Sequence, residues 1–131
     1  MTAVADPHFL VVDDQPTMRR VMQALLKEIG YEHVASAADG GMAMQMLRAA
    51  HYDLVITDIL MPNMDGLELL AAIRADAQLR HLPVLAVAAE ARQDEVSRSM
   101  AQGATACLVK PFTRTELEAR VRGVLGGARP A

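Results

Sequence analysis

A chain of 131 residues matches one ordinary domain and can bury a core without disulfide staples. Its 52% hydrophobic and 22% charged residues argue against disorder, and a net charge of -3 argues against any general electrostatic pull toward nucleic acid. The single cysteine, Cys107, rules out an internal disulfide, which fits a reducing cytosol.

Residues 1–7 lack the basic start and apolar run of a signal peptide, and no stretch is apolar long enough to span a bilayer. A cytoplasmic protein without membrane insertion is therefore expected. The first apolar run is Phe9-Leu10-Val11-Val12, ending on Asp13 and Asp14. It is short and does not alternate, which suits a parallel strand covered on both faces. Pro16 then suits a first helical turn. Met18, Val21, Met22, Leu25, Leu26 and Ile29 form a broad helical stripe, and Gly30 suits a stop. A weaker run at 33–37 is a further strand, and Ala43, Met46, Leu47 and Ala50 mark a second helix.

Leu54-Val55-Ile56 leads through Thr57 to Asp58. Asp65-Gly66 reads as a turn and helix entry, followed by Leu67, Leu69, Leu70 and Ile73 at helical spacing. Val84-Leu85-Ala86-Val87 ends on Ala88 and Ala89. Val96 and Met100 mark a fourth helix, closed by Gly103. Cys107-Leu108-Val109 ends on Lys110, and Leu117, Val121, Val124 and Leu125 mark the last helix. Nine Met and four aromatics predict an aliphatic, Met-filled core.

Five strands each followed by a helix predict a single α/β domain, core about 9–125, with a parallel sheet and helices on both faces. Ligands of such sheets sit at the carboxyl ends of the strands. Here those ends carry Asp13, Asp14, Asp58 and Lys110. Close carboxylates repel unless a cation joins them, and hard oxygen ligands suit Mg²⁺. An Asp carboxylate can also attack phosphorus, in a transfer that needs mainly positioning and charge neutralisation. Taken singly, each has a plainer reading: Asp14 a helix cap, Asp58 a solvated loop charge, Lys110 a surface lysine before Pro111. The four histidines, His8, His33, His51 and His81, show no ligand spacing.

Three stretches carry a family resemblance: Val11-Val12-Asp13-Asp14, Asp58-Ile59-Leu60-Met61-Pro62-Asn63-Met64-Asp65-Gly66, and Val109-Lys110-Pro111-Phe112. Over residues 9–125 the chain resembles the receiver domain of two-component response regulators, in particular its stand-alone chemotaxis members. The resemblance implies a flavodoxin-like, five-stranded parallel sheet in the order 2-1-3-4-5 with five helices, a fold whose ligand sites lie at the carboxyl ends of the strands. It implies Asp58 as phosphoacceptor and Asp13 and Asp14 as the acidic pair that organises Mg²⁺. Asp14, Asp58 and the backbone carbonyl of Leu60 are then direct ligands, Lys110 contacts the phosphoryl group, and Lys110–Pro111 is cis. A sensor histidine kinase is the implied phosphodonor. The implied output partner is a flagellar motor switch protein or a kinase, reached through the fourth helix, fifth strand and fifth helix, with Arg92, Arg98, Cys107, Val109 and Arg114.

Two positions depart from that pattern. The Thr or Ser that receivers carry at the end of the fourth strand is Ala88, and residues 84–91 contain no hydroxyl; the nearest, Ser97, is expected within the fourth helix. A hydroxyl bonded to a charged phosphoryl oxygen contributes about 1.5–3 kcal/mol. The aromatic often found in the fifth strand is Cys107, read as a small buried hydrophobe. Leu60, two residues after Asp58, offers no polar group to orient water, so slow self-dephosphorylation is expected. The leading reading is a phosphorylatable single-domain response regulator with self-phosphorylation chemistry at most. The alternatives are a phosphate sink and a docking module indifferent to phosphate. A conventional enzyme lacks support: there is no Gly-rich phosphate loop, no nucleophile elbow and no Cys/His pairing.

Overall fold

In the computed structural model, described for residues 6–61, 64–89 and 93–126, strands and helices alternate as β1 (His8–Val12), α1 (Pro16–Ile29), β2 (His33–Ala37), α2 (Gly40–Ala49), β3 (Leu54–Asp58), α3 (Gly66–Ala75), β4 (Val84–Ala89), α4 (Gln93–Ala101), β5 (Ala106–Lys110) and α5 (Arg114–Leu125). All strand pairs are parallel and the order is β2-β1-β3-β4-β5, the flavodoxin-like arrangement. The weak run at 33–37 is thus one of the two edge strands. Its outer face is only partly covered, which is why its pattern lacks the continuous apolar character of β1, β3 and β4.

Side chains alternate across the central strands and feed two cores. Phe9, Val11, Leu54, Ile56, Leu85 and Val87 pack with Met22 and Leu26 of α1 and Leu117 and Val121 of α5. Leu10, Val12, Val55, Val84 and Ala86 pack with Ala43 and Leu47 of α2 and Leu69, Leu70 and Ile73 of α3. The Met-filled core needs correction. Among the described residues only Met22, Met44 and Met61 are buried, and the largest fully buried side chains are Phe, Leu, Ile and Val. The strands already supply branched side chains to both faces; Met46 and Met64 are partly buried against one core, and Met42 and Met100 are exposed.

Helix ends follow local chemistry. Pro16 opens α1 and Gly30, at φ 122°, closes it. Asp65 caps α3 and Thr113 caps α5, each in a reciprocal box with Glu68 or Glu116. The cap reading of Asp14 is corrected: the residue at that position is Gln15, with no side-chain cap bond, because Asp14 sits one residue too early.

One tie locks the lower end of the sheet. Arg74 of α3 donates through Nε to Gly103 O at 2.9 Å and through Nη1 to Arg80 O at 3.0 Å and Leu82 O at 2.7 Å. Burial lowers its pKa from the usual guanidinium value. Arg74→Ala removes three charge-assisted bonds to carbonyls, and its expected cost is about 2–3 kcal/mol. Urea unfolding checks this; a cost below about 0.5 kcal/mol would mean that water replaces the guanidinium fully.

Candidate functional site

The cluster is assembled by three strand ends. β1 runs into Asp13 and Asp14, β3 ends on Asp58, and β5 ends on Lys110. Register sets Val12 opposite Thr57 and Asp58 opposite Val87, so the carboxylates arrive at one level of the sheet edge. Asp13, Asp14 and Asp58 each offer an oxygen, all within 4.8 Å of one another. This is the one such group of three ligand-type side chains among the described residues. Lys110 Nζ stands 3.6 Å from Asp58 Oδ1.

Backbone contacts hold these side chains in place. Ile59 N–H donates to Asp58 Oδ1 at 3.0 Å and Gln15 N–H to Asp13 Oδ1 at 2.9 Å. Arg19 of α1 donates to Asp13 O at 2.6 Å, tying the first helix to the acidic pair. Asp13 is buried and Asp14 and Asp58 are partly buried. Burial raises the Asp58 pKa above the usual carboxylate value. The Lys110 ammonium opposes that rise, Asp13 adds to it, and the Ile59 N–H again lowers it. A carboxylate held against such repulsion favours a cation beside it. The donor set, all hard oxygen, fits Mg²⁺ rather than a metal that prefers nitrogen or sulfur ligands.

The loop after Asp58 depends on Gly66. Its N–H donates to Ile59 O at 2.8 Å, and a Cβ there would lie 2.2 Å from Asp58 O and 2.7 Å from the Ile59 Cα. The sequence marks this glycine as a turn and helix entry; the close contact comes from α3 starting directly against the end of β3. Leu60 is 53% exposed beside the site. The Lys110–Pro111 bond is cis, as the resemblance implies.

The remaining positions are placed as follows. Ala88 is fully buried and Cys107 is partly buried. Arg98, Val109 and Arg114 are exposed on α4, β5 and α5, while Arg92, Pro62 and Asn63 lie outside the described residues. Ser97 is exposed, and the hydroxyl turned inward from α4 is that of Ser99. Three histidines that looked scattered meet near the opposite edge. His8 and His33 stack with ring centroids 4.2 Å apart, and His51 bonds Asp53, whose other oxygen accepts from His8 N–H. Parallel pairing of β1 with β2 causes the stack, since His8 and His33 are register partners.

A doubly wound parallel sheet with three carboxylates and a lysine at its carboxyl edge defines a receiver-type signalling module. The match to the response regulator receiver domain spans residues 9–122, and the chain belongs to that family. It is 43% identical over 115 residues to the chemotaxis protein CheY of Pseudomonas aeruginosa, covering 88% of this chain and 93% of that protein. It is 42% identical over 112 residues to CheY-3 of Vibrio cholerae, covering 86% of each. Among solved structures, CheY4 of Vibrio cholerae superposes with a TM-score of 0.84 at 35% identity, covering 92% of this chain and 100% of that one. The receiver domain of a Pseudomonas aeruginosa sensor histidine kinase superposes with a TM-score of 0.84 at 32% identity, covering 93% and 99%. That structure has a magnesium ion coordinated in its active site cleft. The chain is thus a CheY-like receiver of the two-component systems. Among the described residues no helix is long and apolar enough to cross a membrane.

Proposed function

We propose that the whole chain acts as one receiver domain that accepts a phosphoryl group on Asp58 from the phosphohistidine of a sensor histidine kinase. The observation that carries this reading is the edge cluster: three carboxylates with oxygens within 4.8 Å of one another, and Lys110 Nζ 3.6 Å from Asp58 Oδ1. Asp13, Asp14 and Asp58, with the backbone carbonyl of Leu60, would hold Mg²⁺, which supplies neutralisation of phosphoryl charge when bound. The Ile59 N–H orients the Asp58 carboxylate for in-line attack. An Asp58 oxygen bonds to phosphorus as the donor's nitrogen–phosphorus bond breaks, and Lys110 balances charge on the transferred oxygens.

Output passes by docking to a protein partner at the face made by α4, β5 and α5, where Met100 and Val109 are 45% and 39% exposed. A flagellar motor switch protein or a kinase fits that role by family relation, in the cytoplasm and without DNA contact. The test is intact-protein mass after incubation with acetyl phosphate, with and without Mg²⁺. A Mg²⁺-dependent phosphoryl adduct is expected. With Leu60 presenting no polar group to water, the adduct should outlast seconds once donor is removed. No adduct on a folded protein would overturn the reading.

The absence of a hydroxyl at Ala88 and of an aromatic at Cys107 favours a second reading, a docking module indifferent to phosphate or a phosphate sink. Under it, partner affinity is the same with and without beryllofluoride, and the same in Asp58→Asn.

A further inference from the structure

The fourth helix turns an unexpected face to the sheet. Val96 and Met100 are the apolar pair of α4, yet its buried residues are Glu95, 3% exposed, and Ser99, fully buried. Glu95 Oε1 lies 3.5 Å from the Ala89 N–H at the end of β4. Ser99 donates to Val96 O at 2.9 Å, and the side chains of Ser99 and Glu95 both bear on the Cys107 thiol of β5. A carboxylate from α4 therefore faces the end of β4, and a hydroxyl one turn further along faces the first half of β5. Burying a carboxylate there is costly unless backbone donors hold it.

The same strand ends flank the acceptor. Ala89 is the register partner of Lys110, and Val87, two residues earlier, is the partner of Asp58. Ala88 has no hydroxyl to give to new anionic oxygens at Asp58, so what β4 can offer at its end is backbone amide. The Ala89 amide is the one that Glu95 faces.

We propose that Glu95 is the positioning residue of this chain's switch: its carboxylate holds the Ala89 amide while Asp58 is unmodified, and is displaced when a phosphoryl group arrives, carrying α4 with it. The inference rests on Asp58 being the acceptor. A phosphoryl group on Asp58 carries about -1.5 to -2 charges beside Lys110, where the free carboxylate carried one. Two anions then compete for one amide and repel across a poorly hydrated gap. Displacing Glu95 consumes part of the binding energy of the phosphoryl group, so Glu95 weakens that binding. A residue that merely propped up α4 would strengthen it, and the sign of the effect separates the two roles.

The test is ¹H–¹⁵N NMR of the full chain titrated with beryllofluoride and Mg²⁺, in wild type, Glu95→Gln and Asp58→Asn. The Ala89 amide resonance is expected to move on saturation of the wild type. Glu95→Gln is expected to bind about tenfold tighter, the scale of one removed like charge. Equal or weaker binding by Glu95→Gln, or an Ala89 resonance that stays in place, overturns the proposal. Should Glu95→Gln fail to fold, Glu95→Asp keeps the charge but shortens the reach, and is expected to bind about threefold tighter; unchanged or weaker affinity overturns the proposal equally. A folded wild type that takes up no beryllofluoride sinks the acceptor reading itself. Uptake that Asp58→Asn abolishes, with Glu95→Gln no tighter, sinks the role of Glu95 alone.

Discussion

Asp58→Asn is expected to abolish the Mg²⁺-dependent phosphoryl adduct completely while making the metal-free protein more stable at neutral pH. The amide keeps an oxygen that can accept from the Ile59 N–H, so the end of β3 keeps its shape. It cannot form a carboxylic–phosphoric anhydride, so the adduct is lost rather than slowed. The stability change follows from the raised Asp58 pKa, caused by burial first and by Asp13 as well, against the opposing pull of Lys110. The folded state binds that proton more tightly than the unfolded chain. The site's contribution to stability is therefore present at low pH and is lost as pH rises through the folded-state value. At pH 7 the ionised carboxylate is a net cost, and Asn removes it.

Thermal melts in EDTA check the sign. The variant should melt higher than the wild type at pH 7 by roughly 2–6 °C. The gap should narrow as pH falls through the carboxylate range, and Mg²⁺ should narrow it too by favouring the wild type. A variant that melts lower than the wild type in EDTA at pH 7 would show that the Lys110 contact outweighs the repulsion.

Gly66→Ala is expected to cost roughly 3 kcal/mol or more, the upper end for forcing atoms into a packed space. Its Cβ would meet Asp58 O at 2.2 Å and the Ile59 Cα at 2.7 Å, and both are backbone atoms of a central strand and the turn that follows it. Neither can swing aside as a flexible side chain would, so the start of α3 must retreat. That retreat strains the Gly66 N–H bond to Ile59 O, which sits beside the acceptor. Adduct formation with acetyl phosphate should therefore slow at least about tenfold alongside the loss of stability. Gly123→Ala is the control: it lies within α5 with nothing within 4 Å of its Cβ position, and should stabilise by about 0.5–1 kcal/mol. Urea unfolding of both variants measures the contrast. A Gly66→Ala protein as stable as the wild type would mean that α3 shifts at little cost.

Much of this molecule is written locally. Short apolar runs without alternation announced β1, β3, β4 and β5, because strands covered on both faces need apolar residues at every position. Proline and glycine at the ends of α1, and Asp65 before α3, announced helix limits because caps and stops are chemistry of adjacent residues. Asp13, Asp14, Asp58 and Lys110 were legible as a cluster since parallel strands place all their carboxyl ends on one edge. The same local logic erred over Asp14 as a cap, where a single residue of offset decides the role.

Other features depended on how separate elements pack together. Helical spacing made Val96 and Met100 the natural inner face of α4; Val96 does pack against the core, but Met100 is exposed and the buried positions are Glu95 and Ser99. An amphipathic pattern predicts the inner face only where the facing surface is apolar; here it is a strand end with an amide to satisfy and a thiol to contact. The stacked His8 and His33, 25 positions apart, come from the pairing of β1 with β2. The need for glycine at position 66 comes from α3 pressing on the backbone of β3. By itself the sequence determined the α/β class, the strands and the acidic edge, because periodicity and strand ends are short-range properties. Only the tertiary structure decided which residues of α4 are buried and which glycine cannot change, because those are set by how neighbouring elements pack on one another.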